Sequence, residues 1–146
     1  MAMNAPMNLP LARLAWPLGL AGLLPFLAGL VGVSLGQGWA GIALAAYGAV
    51  ILSFLGAVHW GLALAAPGVA DGRRLIGGIV PSLVAWLALL APLAAGLLML
   101  GFGLLALVVV ETFAARLGLL PWSYLVLRWV PSGVAGACLL ASAYLA

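Results

Sequence analysis

Residues 75–110 contain no charged side chain, and this run constrains the fold more than any other feature of the chain. A helix needs about 20 apolar residues to cross the hydrocarbon core of a membrane, so the run is too long for one crossing. The motif APLAAG, at residues 91–96, provides a natural break for a hairpin between two crossings. The sequence therefore predicts spans near 75–91 and 95–114.

The composition places the rest of the chain in a membrane as well. Hydrophobic residues make up 68% of the sequence and charged residues only 5%, whereas soluble domains carry about 25% charged residues. We therefore expect an all-α protein, a single domain over residues 1–146 that forms a bundle of five transmembrane helices. The three further spans are predicted at about 14–35, 42–65 and 130–146, with an amphipathic segment at about 117–128 before the last span.

The arginines predict the orientation of this bundle, because cationic residues collect on the cytoplasmic side of membrane proteins. With five crossings, all of them fall on one side, which we assign as the cytoplasmic interface. If residues 75–110 formed one span, the arginines would be split between the two sides. We therefore expect a cytoplasmic N-terminus and a periplasmic C-terminus. The residues concerned are Arg13, Arg73, Arg74, Arg116 and Arg128.

The motif LGAVHWGLAL, at residues 55–64, contains the single histidine of the chain. On a helix, His59 lies on the same side as small residues such as Gly56, so it is expected to face a neighbouring helix rather than lipid. Glu111 lies within the fourth predicted span. Ser82 lies within the third predicted span, at a depth in the membrane similar to that of His59 and Glu111. The sequence thus predicts a layer of polar residues close to the cytoplasmic side of the bundle.

Two interpretations of this layer remain open. An unpaired carboxylate in hydrocarbon costs on the order of a few kcal/mol, so Glu111 must be protonated, hydrated or paired with His59 or an arginine. In the first interpretation, His59 and Glu111 form a polar contact between helices that fixes their packing. In the second, His59 and Glu111, with Ser82 and Trp60, line a pocket that relays protons or holds a polar ligand. We favour the packing interpretation, because too few polar residues lie between this layer and the outer face to form a path across the membrane. For Trp60, packing or lipid contact is the simpler role.

Several kinds of chemistry are excluded or made improbable by what the sequence lacks. The chain contains no lysine, which excludes a Schiff base to retinal or pyridoxal phosphate. No group of Cys, His, Asp and Glu has the spacing of a metal site, and no nucleophile elbow is present. We expect no enzyme activity, no cofactor and no metal. The absence of a basic stripe with interleaved aromatic residues also argues against nucleic acid as a partner.

Partners are instead expected inside the membrane. Pairs of small residues four positions apart, such as Gly32 with Gly36 and Ala57 with Gly61, allow helices to approach closely in lipid. We expect contacts with membrane lipids and with other integral membrane proteins, and a homo-oligomer is possible on the same grounds.

Three segments carry a family resemblance: AYGAVILSFLGAVHWGLAL at 46–64, PSLVAWLALL at 81–90 and PWSYLVLRW at 121–129. They resemble an uncharacterised bacterial membrane family related to mitochondrial transmembrane protein 69. The resemblance extends from about Leu14 onward, and GAVHWG is its most specific part. It implies a small helical protein of the proteobacterial inner membrane or of mitochondria, and it supplies no activity, ligand or catalytic residue.

These observations favour a non-enzymatic accessory or assembly subunit of an inner-membrane energy-transducing complex, either respiratory or photosynthetic. The alternative is a small transporter or ligand-binding membrane protein that uses the layer of His59 and Glu111. An odd number of spans provides no inverted repeat within the chain, which argues against a transporter unless the protein dimerises.

Overall fold

The computed structural model describes residues 9–65, 72–116 and 122–146, and no strand occurs in these three ranges. The predicted all-α fold is therefore confirmed. Within the described residues the elements are, in chain order, α1 (Leu9–Ala21), α2 (Leu24–Ser34), α3 (Gly38–Ala65), α4 (Gly72–Leu90), α5 (Leu93–Arg116) and α6 (Trp122–Leu145).

Four segments of the described chain are long and apolar enough to cross a membrane: Arg13–Ser34, Gly38–Gly61, Leu93–Arg116 and Leu125–Leu145. A shorter apolar helix, Leu75–Leu90, lies between them in the chain. At about 1.5 Å per residue it is roughly 24 Å long, compared with a hydrocarbon core of about 30 Å. A crossing by this helix, the fifth that the sequence predicts, would require local thinning of the bilayer or flanking polar groups that reach the interface.

The first predicted span, 14–35, is not one continuous helix. α1 ends at Ala21 and α2 begins at Leu24, with Pro25 in the first turn of α2. Proline lacks an N–H group and disfavours helical backbone in the preceding residue, so a helix boundary at this point is physically reasonable. The Tyr47 hydroxyl of α3 donates a hydrogen bond of 3.0 Å to the carbonyl of Gly22, so the break is tied to the neighbouring helix.

The predicted amphipathic segment, 117–128, is not a separate element either. Residues 117–121 lie outside the described residues, and α6 runs continuously from Trp122 to Leu145, so the last helix begins before the predicted boundary at 130. Leu125 is fully buried against Ala115. The first turns of α6 therefore pack against α5 rather than lie on the membrane surface.

The core is built from leucine layers between close-packed helices. Leu52, Leu100 and Leu104 are almost completely buried at its centre. Small residues permit the close approach, since a side chain added at Gly101 would come within 2.9 Å of Leu140 and 3.3 Å of the Gly136 carbonyl. Large apolar side chains cover the outside, where they face lipid.

The charged side chains that the structure describes lie towards one end of the bundle. α3 and α5 end there, and α4 and α6 begin there. The contacts show this layout: Gly56, late in α3, lies against Gly78, early in α4, whereas Gly41, early in α3, lies against Leu93 at the start of α5. Arg128, early in α6, pairs with Glu111, late in α5. We call this the arginine end. It holds Arg13, Arg116 and Arg128, and the first residues of α4, Arg73 and Arg74, follow Gly72 at the same end.

Candidate functional site

A buried ion pair between α5 and α6 is the centre of the candidate site. Glu111 is 0% exposed and Arg128 is 8% exposed. Arg128 Nη2 donates to Glu111 Oε1 at 2.8 Å, and Arg128 Nε donates to Oε2 at 3.3 Å. The planar guanidinium thus binds both carboxylate oxygens, an arrangement that fixes direction as well as distance.

Arg128 was assigned to the cytoplasmic interface from the sequence, and the structure shows that its side chain is buried within the arginine end. Because α6 is helical from Trp122, Arg128 lies in the second turn of a helix that packs along α5, and its side chain reaches inward. The two other described arginines remain exposed: Arg13 in α1 and Arg116 at the end of α5, whose guanidinium carbon is 5.8 Å from the centre of the Phe113 ring. The side chains of Arg73 and Arg74 lie outside the described residues.

His59 approaches the ion pair from α3. Its Nε2 atom is 4.0 Å from Glu111 Oε1, and its side chain is 15% exposed. Leu52, Gly56 and Ala63, on the same side of α3, are buried, so His59 faces the neighbouring helices. The Nδ1 atom is buried and has no hydrogen-bond partner within the described part of the chain. The imidazole is therefore a neighbour of the ion pair rather than a directly hydrogen-bonded member of it.

Trp60 and Ser82 serve other contacts. Trp60 Nε1 donates to the Leu75 carbonyl of α4 at 2.9 Å, and its ring covers Gly78. Trp60 therefore joins α3 to α4. Ser82 is half-buried in α4, and no hydrogen bond of its hydroxyl occurs among residues 9–65, 72–116 and 122–146. Of the predicted layer, the structure thus groups His59 with Glu111 and places Arg128 between α5 and α6 as its ionic partner.

A second polar contact lies one residue further along both helices. Trp129 Nε1 donates to Thr112 Oγ1 at 3.1 Å, and Thr112 Oγ1 donates to the Val108 carbonyl at 2.7 Å. Sequence reasoning did not identify this contact. The sequence contains a sign of this contact. Thr112 follows Glu111 and Trp129 follows Arg128, so both pairs are separated by 17 residues in the chain.

A groove beside the ion pair was also not predicted. It has a volume of about 270 Å³ and lies between α1, α2, α3 and α6, with α5 beneath it. Arg128 and Ser132 are the polar side chains among its lining residues, and the remainder of the lining is apolar. The groove depends on the break after Ala21, which sequence reasoning did not foresee.

The comparisons with known proteins identify the family. Residues 11–144 match a family described as "Protein of unknown function (DUF3429)". The chain belongs to the DUF3429 family. It is similar to transmembrane protein 69 of Xenopus tropicalis, at 49% identity over 79 residues, a match that covers 50% of this chain and 31% of that relative. The matched region is thus about a third of the relative's length, and no solved structure matches this chain.

The family resemblance predicted from the sequence is therefore confirmed, as is the transmembrane nature of this DUF3429 protein. Within the described residues, no three His, Cys, Asp or Glu side chains gather in a way that could hold a metal ion. The site holds one carboxylate, one guanidinium and one imidazole. In chemical terms, this arrangement can clamp two helices and can exchange a proton at His59.

Proposed function

We propose that this DUF3429 protein is a non-enzymatic accessory or assembly subunit of an inner-membrane energy-transducing complex, and that it acts through contacts within the membrane. The observation that carries this proposal is the inward pairing of Glu111 with Arg128 beneath an apolar outer surface. Both carboxylate oxygens accept hydrogen bonds from one guanidinium, so the most buried charged group of the described chain is engaged in holding α5 against α6.

The outer surface supports a role in protein contacts. Only 11% of the most apolar 18-residue stretch of the span Arg13–Ser34 is buried within the chain. The corresponding value for Leu93–Arg116 is 33%. Gly77 and Gly133 have no heavy atom within 4 Å of an added Cβ, so they leave room on α4 and α6 for another helix. Small residues on exposed helix faces favour close packing of helices in lipid.

We place the protein in the bacterial inner membrane with the arginine end towards the cytoplasm, the N-terminus on that side and the C-terminus in the periplasm. The positive-inside tendency supports this orientation. The turns at the opposite end, at residues 35–37 and 91–92, carry no charged residue. An odd number of crossings also agrees with this orientation, because the chain would then begin on one side of the membrane and end on the other.

Gentle isolation of the tagged full-length chain from its native membranes tests the proposal. We expect it to migrate with a respiratory or photosynthetic complex in a fixed ratio, and loss of the gene to reduce the amount of that complex. A variant in which the ion pair is replaced by apolar residues, Glu111→Leu with Arg128→Leu, should still migrate with it. Recovery of the protein alone or only as a homo-oligomer, with the complexes unchanged in the deletion strain, contradicts the proposal.

A second candidate function is proton transfer or ligand binding at His59 and Glu111. The observation that favours it is the buried His59 Nδ1 atom without a hydrogen-bond partner in the described residues, because such an atom offers a place for a proton or a polar ligand group. Vesicles containing His59→Ala or Glu111→Gln would then lose a proton-linked uptake that the wild-type protein and the exposed control Ser34→Ala retain. Equal behaviour of all four proteins rejects this candidate.

A further inference from the structure

We infer that the groove between α1–α2 and α6 is a binding site for one acyl chain of an anionic phospholipid, whose headgroup lies at the arginine end. This site is separate from the proposed subunit role. The groove runs from Leu18 and Arg128 towards Phe26 and Ala135, which places it along the membrane normal as a lipid chain would be.

The shape of the groove follows from glycine at two positions of its wall. An added Cβ at Gly19 would have no heavy atom within 4 Å. At Gly22 the nearest atoms to an added Cβ would be the carbonyl oxygens of Gly19 and Leu18 and the Tyr47 hydroxyl, at 3.3–3.8 Å. Leu23 and Phe26 are buried on the inner wall, whereas Phe54 on the rim is 64% exposed. The groove is therefore open towards the lipid and closed towards the core.

The volume of the groove suits a segment of one hydrocarbon chain. The groove measures about 270 Å³, which exceeds a cavity of about 150 Å³ that holds benzene and falls below the range of about 300–1,000 Å³ typical of drug-sized ligands. A partner helix, about 10 Å across with its side chains, does not fit into such a space. An acyl chain requires no hydrogen bond from the apolar walls, which suits their composition.

The charge at the mouth of the groove selects an anionic headgroup. Arg128 lines the groove and is paired with Glu111. Arg13 is exposed and lies five residues before Leu18 of the groove, on the same helix, so it adds positive charge beyond that pair. The whole chain has a formal net charge of +3. Cationic groups near a membrane surface attract anionic lipids.

Filling the groove with a side chain tests the inference. Gly19→Leu places an isobutyl group in open space on the groove wall. Gly38→Leu is a matched control, since Gly38 also has no atom within 4 Å of an added Cβ and lies at the start of α3, away from the groove. Native mass spectrometry of the full chain in mild detergent, titrated with phosphatidylglycerol, measures binding. We expect tight binding of one lipid to the wild type and to Gly38→Leu, and binding weakened by at least about tenfold in Gly19→Leu.

Two further measurements keep the test decisive. Phosphatidylcholine with the same acyl chains should bind the wild type more weakly than phosphatidylglycerol, and a photoreactive group on the acyl chain should label the segment 18–26. This labelling uses the wild-type chain, so it stands even if Gly19→Leu fails to fold. Equal binding by a folded Gly19→Leu, equal binding of the two lipids, or labelling confined to α4 would overturn the inference.

Discussion

Arg128 holds Glu111 through two hydrogen bonds, of 2.8 and 3.3 Å, across the boundary between α6 and α5. The contact lies in the second turn of one helix and near the end of the other, next to the hydrogen bond from Trp129 to Thr112. Four side chains therefore join the two helices at the arginine end. We interpret this cluster as the feature that sets how α5 and α6 pack, with the leucine layers below it supplying the apolar contacts.

Breaking the ion pair from one side should destabilise the protein strongly. Removing one partner of a buried ion pair costs about 3–5 kcal/mol, because the other charge stays buried without compensation. We expect Glu111→Gln and Arg128→Leu each to lower the thermal unfolding temperature in detergent, measured by the loss of helical circular dichroism. The exposed arginine variant Arg116→Gln should leave that temperature almost unchanged.

Replacing both Glu111 and Arg128 tests whether the ion pair serves only to hold α5 against α6. Replacing both members of a buried ion pair by apolar residues of similar volume is often neutral or stabilising. We expect Glu111→Leu with Arg128→Leu to recover most of the stability that either single change removes. If the double variant is less stable than both single variants, the pair does more than neutralise its own two charges.

His59 should matter much less for stability than Glu111. Its Nε2 atom is 4.0 Å from Glu111 Oε1, which is beyond hydrogen-bond distance, and its Nδ1 atom has no partner among the described residues. We expect His59→Leu to change the free energy of unfolding by less than about 1 kcal/mol, because no buried hydrogen bond is lost. Denaturation of the purified protein in mixed micelles measures this change. If His59→Leu lowers the free energy of unfolding as much as Glu111→Gln does, His59 helps to hold α5 against α6 together with Glu111 and Arg128.

The sequence predicted which residues are polar within the membrane, and it predicted that His59 and Glu111 come from different helices at one end. This was possible because hydropathy and helix periodicity determine depth and face. It did not predict that Arg128 is the bidentate partner. Depth alone does not distinguish an arginine that reaches the interface from one that reaches inward, and the continuation of α6 to Trp122 decides between them.

The break between α1 and α2 shows a second limit of sequence reasoning. Residues 14–35 carry no charged side chain and are mostly apolar, so hydropathy indicates one span. Pro17 is tolerated within α1 while Pro25 marks the start of α2, and the Tyr47 hydroxyl of α3 donates a hydrogen bond to the Gly22 carbonyl in the break. The groove beside Gly19 and Gly22 was not predicted because it lies at this break.

Gly56 is expected to be intolerant of substitution. A Cβ at this position would lie 2.6 Å from the Gly78 carbonyl and 3.1 Å from Pro81, so α3 and α4 would have to separate. We expect Gly56→Ala to destabilise the protein by about 1–3 kcal/mol, as overpacking does in other cores. Gly61→Ala is the control on the same helix: nothing lies within 4 Å of its added Cβ, and alanine raises helix propensity by up to about 1 kcal/mol. Equal unfolding temperatures for the two variants would show that the contact at Gly56 yields easily.

The most direct test of the whole account is the side of the membrane on which each end of the bundle lies. In a Cys138→Ala background, Gln37→Cys places a thiol in the exposed turn before α3, and Gly72→Cys places one at the exposed start of α4, at the arginine end. Labelling of intact cells with a membrane-impermeant maleimide should modify Gln37→Cys and leave Gly72→Cys unmodified until the cells are permeabilised. Labelling of both positions from the same side, or of Gly72→Cys alone in intact cells, would contradict a bundle that crosses the membrane with its arginines in the cytoplasm.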